Sequence, residues 1–203
     1  MTPETIQTRY VIALTGRNGS GKDTAAEYLR DAYGYAIYST GEVVRQMARK
    51  RGEALTRDSL HDISREMIEE YGREVFVKTL LDQVRQNGVD RAAFVGIRMP
   101  QEVAYLRERL GDRFLLATVY DGDPQTRYRR TQDRGEPRDR QSFEEFKQQD
   151  EREDEMFGIE RTIAMADVNL DNGGSLDELR ADIDDSIPDE VLGTGVAKET
   201  GES

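Results

Sequence analysis

The chain has 203 residues, no cysteine, a single histidine at position 61 and a formal net charge of -12. That length suits one α/β domain of ordinary size, and the composition excludes disulfide frameworks, thiolate metal sites, cysteine nucleophiles and multi-histidine metal centres. The acidic balance argues against extended nucleic acid as a partner, no run of about 18 apolar residues reads as a membrane span, and MTPETIQTRY lacks a basic-then-apolar leader, so a cytoplasmic protein away from membranes is expected.

Residues 1–8 read as an N-terminal extension. YVIAL (10–14) is a short continuous apolar run, as in a strand buried on both faces, and it ends at a glycine-rich loop. Ala25, Ala26, Leu29, Ala32 and Tyr33 then repeat at helical spacing up to Gly34. YAIYS (35–39) predicts a second strand, and Thr40 opens a helix through Val43, Val44, Met47 and Ala48. Residues 59–87 predict two helices broken near Gly72. AAFVGI (92–97) is a third strand, followed by a helix that Pro100 starts and Gly111 closes. FLLATVY (114–120) is a fourth strand, and Asp123-Pro124 starts another helix. A polar loop runs from Gly135 to Ser142, and a charged helix begins near Phe143. ADVNLDN (166–172) is a fifth strand, and Ser175–Ile183 a closing helix with a Ser cap. Strands alternating with helices predict an α/β fold: a five-stranded parallel sheet, with helices on both faces, over residues 9–185. SIPDEVLGTGVAKETGES (186–203) has little periodicity and is expected to be a disordered tail.

Between the first strand and first helix lies Gly16-Arg17-Asn18-Gly19-Ser20-Gly21-Lys22-Asp23-Thr24, which matches G-x-x-x-x-G-K with Asp23 where Ser or Thr is usual. The glycines let the backbone wrap a polyphosphate closely and turn N–H groups and a helix N-terminus toward it, and Lys22 reaches the phosphates as a mobile point charge. Asp23 would support Mg²⁺ directly or through water, with the Thr24 hydroxyl nearby. This segment resembles the loop of the P-loop nucleoside and nucleotide kinases, and its GKDT variant is similar to that of phage-type deoxynucleoside monophosphate kinases.

Further segments carry the resemblance. Tyr38-Ser39-Thr40-Gly41-Glu42-Val43-Val44-Arg45 is similar to the S-T-G-D-x-x-R segment of adenylate kinase and its relatives, which implies that Thr40 and Arg45 hold the acceptor's phosphate at a helix N-terminus. Arg98, after Gly96-Ile97, resembles the arginine that contacts the acceptor phosphate in nucleotide kinases. Val95 stands where those relatives generally carry Asp. Between 127 and 140 there are six arginines against three acidic residues. Arg127, Arg130 and Arg134 share a helix face, and Arg138 and Arg140 follow in the loop. R-Y-x-R-x-x-x-R-G looks like the entry to a kinase lid, whose arginines stabilise the transferring phosphoryl group, with Arg152 on the returning helix. Asn172-Gly173 resembles the turn that borders the adenine in dephospho-coenzyme A kinase. Together these pieces are similar to the P-loop kinase-like family related to that enzyme. The resemblance implies a P-loop NTPase fold with a helical acceptor-binding region at about 40–90 and an arginine-rich lid at about 127–155.

The expected activity is ATP- and Mg²⁺-dependent phosphoryl transfer to a nucleoside or deoxynucleoside monophosphate, or to a related nucleotide-like acceptor, with Lys22 and the lid arginines as catalytic groups. Val95 and Asp23 motivate one alternative, a nucleotide-binding sensor or accessory protein with little turnover; a second is a dephospho-coenzyme A kinase-like activity, whose hydroxyl acceptor would benefit from the carboxylate that is missing at Val95. His61, on a polar helix, reads as a surface residue. A homodimer is compatible with the chain, although no segment marks its surface.

Overall fold

A computed structural model describes residues 8–120, 123–135 and 142–194. Five parallel strands, β1 (Tyr10–Thr15), β2 (Ala36–Ser39), β3 (Arg91–Ile97), β4 (Phe114–Tyr120) and β5 (Val168–Asp171), form one sheet in the order β2-β3-β1-β4-β5. The expected five-stranded parallel sheet is therefore present, and it has the helices on both faces. Strand side chains alternate between the two: Val11, Ala13, Ala92, Phe94 and Leu116 enter one core, and Ile12, Leu14, Ala93, Val95, Ala117 and Val119 enter the other.

The first face is covered by α2 (Thr40–Arg51), α3 (Arg57–Tyr71), α4 (Val75–Asn87), α5 (Pro100–Leu110), the end of α7 (Phe143–Phe157) and α8 (Ile159–Ile163). The second carries α1 (Lys22–Tyr33), α9 (Leu176–Ser186) and α10 (Asp189–Leu192). α6 (Pro124–Arg134) leads toward α7. Side-chain oxygens accept from the first-turn N–H groups of α6 (Asp123), α7 (Ser142) and α9 (Ser175), which starts each helix where its sequence suggests. Among the described residues no helix is long and apolar enough to cross a membrane.

Two expectations change. α8 was not foreseen, because it is a single short turn with no periodic signal. Residues 186–194 are not structureless: Ile187, Val191 and Leu192 are buried in the α1-side core, and Tyr35 donates its hydroxyl to the Val191 carbonyl at 2.5 Å. A short apolar anchor of this kind has no period to read, so composition alone suggested disorder. Residues 1–7 of the extension, 136–141 with Arg138 and Arg140, and 195–203 lie outside the described residues.

Candidate active site

Adjacent parallel strands bring their C-terminal ends to one sheet edge, where β1 delivers the glycine-rich loop and β3 delivers Gly96, Ile97 and Arg98. Gly19 has a φ of +75°, and a Cβ there would lie 2.5 Å from the Arg127 carbonyl oxygen. Glycine is needed both for the turn and for this approach of α6 to the loop. Lys22 opens α1, is 9% exposed and donates from Nζ to the Arg17 carbonyl at 3.2 Å. Burial pulls its ammonium below the ordinary lysine value; Asp23 and Glu153 oppose the shift, whereas Arg98 and Arg134 reinforce it. Arg98 and Arg134 are thus within electrostatic reach of Lys22. Asp23 is exposed and Thr24 half-buried in the first turn of α1.

Arg127, Asn172 and Glu160 brace the loop from outside. Arg127, 3% exposed, donates from Nη1 to the Asn18 carbonyl at 3.0 Å, pairs with Asp150 at 2.6 Å and lies over the Phe146 ring. Asn172 donates from Nδ2 to the Ser20 carbonyl at 2.7 Å, and Arg130 donates to the Asn172 carbonyl at 2.7 Å. Arg17 pairs with Glu160 of α8 at 2.5 Å. Gly173 is exposed beside Asn172, in an Asx turn on Asp171. The expected lid face therefore divides: Arg127 is a buried clamp between the loop, α6 and α7, Arg130 ties α6 to the turn after β5, and Arg134 is exposed.

On the β3 side, Thr40 donates to the Gly96 carbonyl at 2.8 Å. Gly96 sits where the β1–β3 register skips from Val95 to Ile97, with φ +87°, and a Cβ there would lie 2.8 Å from Thr40 Oγ1. This bulge seats the start of α2 against β3. Thr40, Gly41 and Arg98 line one small cleft, with a cavity volume of about 20 Å³. Its other walls are Val44, Phe76, Met99 and Phe157, with Ser64 and Glu102 as the remaining polar residues. Arg45 is not in this cleft. Its Nε donates to Glu42 at 2.7 Å, and it lines a neighbouring groove with Tyr38 and Gln83. Val95, at the expected aspartate position, is 2% exposed in the core beneath α1.

Sequence reasoning missed two buried carboxylates. Glu153 on α7, 2% exposed, has Arg57 Nη1 at 3.4 Å, His61 Nε2 at 3.6 Å and Arg98 Nη2 at 3.9 Å, and it accepts from Gln149 at 2.8 Å. Burial would raise its carboxyl, but Arg98, His61, Arg57 and Gln149 together hold it well below the usual carboxylate range. His61 is therefore not a free surface residue: its side chain is 18% exposed and packs edge-on against Phe157. Arg152, the residue expected on the returning helix, is exposed. The missed signal was helical phase, since Phe146, Gln149, Asp150, Glu153 and Phe157 form the buried stripe of α7. In the second case, Glu102 Oε2 accepts from the backbone N–H groups of Arg98 (2.9 Å) and Met99 (3.0 Å). Its Oε1 is buried without a hydrogen-bond partner, and burial pushes the carboxyl up to about 7.

A family model described as an AAA domain matches residues 15–147. A UPF0200 protein of Hyperthermus butylicus is 34% identical over 174 residues, covering 86% of this chain and 91% of the relative. A UPF0200 protein of Methanocaldococcus jannaschii is 32% identical over 184 residues, covering 90% of both chains. Among solved structures, TT1252 from Thermus thermophilus is similar with a TM-score of 0.56 at 20% identity, covering 94% of this chain and all of that one. Shikimate kinase from Aquifex aeolicus is similar with a TM-score of 0.54 at 16% identity, covering 90% and 99%. At these identities the likeness is one of fold, and the fold is that of P-loop NTPases.

Proposed function

This chain belongs to the UPF0200 family and carries an AAA domain on a P-loop kinase-like fold, and from that premise we propose that it transfers a phosphoryl group from ATP to a nucleoside or deoxynucleoside monophosphate or a related small anion. The observation that carries the reading is the adjacency of β1 and β3, which sets Lys22 and Arg98 at one sheet edge, close enough that Arg98 lowers the pKa of Lys22.

The glycine loop and Lys22 are suited to the donor's phosphates, and binding them would repay the cost of keeping that ammonium buried. Thr40, the N-terminus of α2 and Arg98 are suited to the acceptor's anionic group. Transfer between two oriented phosphates relies on positioning and charge neutralisation, so no strong general base is required. Mg²⁺ would supply further neutralisation of the donor phosphates. Among the described residues no group of three acidic or histidine side chains could hold a metal, which suits an ion brought by the nucleotide and touched by Asp23 directly or through water.

Incubation with Mg²⁺-ATP and a panel of ribo- and deoxynucleoside monophosphates and dephospho-coenzyme A should give ADP and one phosphorylated product, and Lys22→Ala should abolish it. Tight ATP binding without acceptor-stimulated ADP release would favour the nucleotide-sensor reading instead. That reading is motivated by Glu153, which lies against Arg98 in this conformation.

A further inference from the structure

Glu153 stands among cationic side chains supplied by α3 and by the end of β3. Arg57 and His61 are four residues apart on one face of α3, so both approach the same oxygen, Oε1, at 3.4 and 3.6 Å, while Arg98 Nη2 lies 3.9 Å from Oε2. Lys22 of the glycine loop is within electrostatic reach of both Glu153 and Arg98. Two features separate this contact from the pairs that brace the loop. The first is its looseness. Asp150 meets Arg127 at 2.6 Å, a hydrogen-bond distance, and Arg127 also holds the Asn18 carbonyl. The distances from Glu153 to the ion-paired nitrogens of Arg57 and Arg98 are longer, so attraction is present without the short, directional geometry of a clamp. Replacing a buried ion pair by apolar side chains of similar volume often leaves stability unchanged or improved, so stability alone gives no reason to keep a carboxylate there.

The second feature is space. Arg98, with 28% of its side chain exposed, lines the cleft that it shares with Thr40, but a cavity of about 20 Å³ holds about one water. Arg57 is 8% exposed. In this conformation the cleft admits no phosphate group, so an oxyanion that is to meet both guanidiniums must take the place of the carboxylate that now faces them.

We propose that Arg57 is a further residue of the acceptor site and that Glu153 is a built-in competitor there: the acceptor's phosphate monoester displaces the Glu153 carboxylate and takes its place between Arg57 and Arg98. This assignment rests on the phosphotransferase reading above, which makes Arg98 an acceptor-side residue. A phosphate monoester brings three strong acceptor oxygens and about two charges at neutral pH, where a carboxylate brings two oxygens and one charge. With no acceptor bound, Glu153 compensates the buried guanidiniums; with acceptor bound, they turn to the phosphate that is to be phosphorylated.

Inorganic phosphate is the probe, titrated into the full, tag-free chain at constant ionic strength, with Mg²⁺ and a non-hydrolysable ATP analogue present to fill the glycine loop. Glu153→Gln removes the competitor and should bind phosphate about tenfold tighter than the wild type, the effect expected of releasing one charged donor. Arg57→Gln added to that variant should abolish the gain, and it favours folding because it withdraws a buried cation that faced the lost carboxylate. Equal phosphate affinity in the wild type and Glu153→Gln, or a gain that survives Arg57→Gln, would overturn the proposal. If Glu153→Gln does not fold, the wild type decides alone. His61 is the chain's single histidine and its Nε2 lies 3.6 Å from Glu153, so its imidazole proton resonances report directly on that carboxylate. They should shift as phosphate saturates the wild type, and resonances unmoved at saturation would overturn the proposal.

Product formation from Mg²⁺-ATP and the acceptor panel separates the two readings. Lys22-dependent transfer with a phosphate affinity indifferent to Glu153 defeats the competitor and leaves the phosphotransferase. A phosphate site that depends on Glu153 and Arg57, without transfer to any acceptor, does the reverse. Failure of both the wild type and Glu153→Gln to bind phosphate overturns the competitor whatever the transfer assay gives.

Discussion

Glu102 and Glu153 are both removed from water, yet their surroundings drive them in opposite directions. Around Glu102, desolvation outweighs two backbone N–H groups and Arg98, so its carboxyl titrates at about 7. Around Glu153, Arg98, His61 and Arg57 outweigh the same penalty and keep it ionised. The signs of the resulting pH dependence follow from linkage. Because folding raises the Glu102 pKa from 4.5 to about 7, the native state holds the proton more tightly, and stability falls as pH rises through that window by about 3 kcal/mol. Glu102→Gln should lose this slope, so its unfolding midpoint should gain on the wild type from about pH 5 to about pH 8. Glu153 contributes stability above its unfolded pKa that is lost as pH falls through its lower folded value. Glu153→Gln should therefore cost about 3–5 kcal/mol at neutral pH, since it leaves buried cations uncompensated, and the deficit should shrink in acid. Urea titrations across pH would check both slopes, and parallel slopes in wild type and variants would refute the assignment.

At the scale of elements, α6 and α7 show what spacing can and cannot reveal. Arg127, Arg130 and Arg134 do share a helix face, as their spacing says, but the face leaves the core gradually along its length. Arg127, near the start, is clamped by Asp150 and the loop backbone, while Arg134, at the end, is exposed. Arg127→Ala should destabilise the chain by about 3 kcal/mol, because it leaves Asp150 buried without its partner. Arg134→Ala should change stability by no more than about 0.5 kcal/mol while lowering turnover. Thermal unfolding alongside ADP release separates the two, and equal stability losses would argue against this division. On α7, the apolar residues Phe146 and Phe157 set a phase in which position 153 faces inward and 152 outward. The lid resemblance selected Arg152, which lies on the exposed side, one residue away from the buried Glu153.

For the whole molecule, the two cores on either side of the sheet define what must be kept. The α1-side core is closed by Ile187, Val191 and Leu192, so residues beyond the last long helix belong to the folded unit. Truncation after residue 185 should lower stability by about 4 kcal/mol or more, from three buried apolar side chains. Circular dichroism melting would check it, and an unchanged midpoint would return the segment to the status of a tail. The sequence by itself determined the α/β alternation, the five strands, the glycine loop with Lys22, and most helix starts, because each rests on local periodicity, on a cap or on a contiguous motif. The kinase resemblance also paired Thr40 with Arg98, and the two line the same cleft. Tertiary structure decided that Arg45 stays with Glu42, that Arg127 is a clamp, that Val95 is core, and that Glu102 and Glu153 lie beside Arg98. Arg45–Glu42 and Glu102–Arg98 are close in sequence, but which groups along a local window are buried, and the partners of Arg127 and Glu153, are set by packing from other strands and helices, which no window along the chain contains.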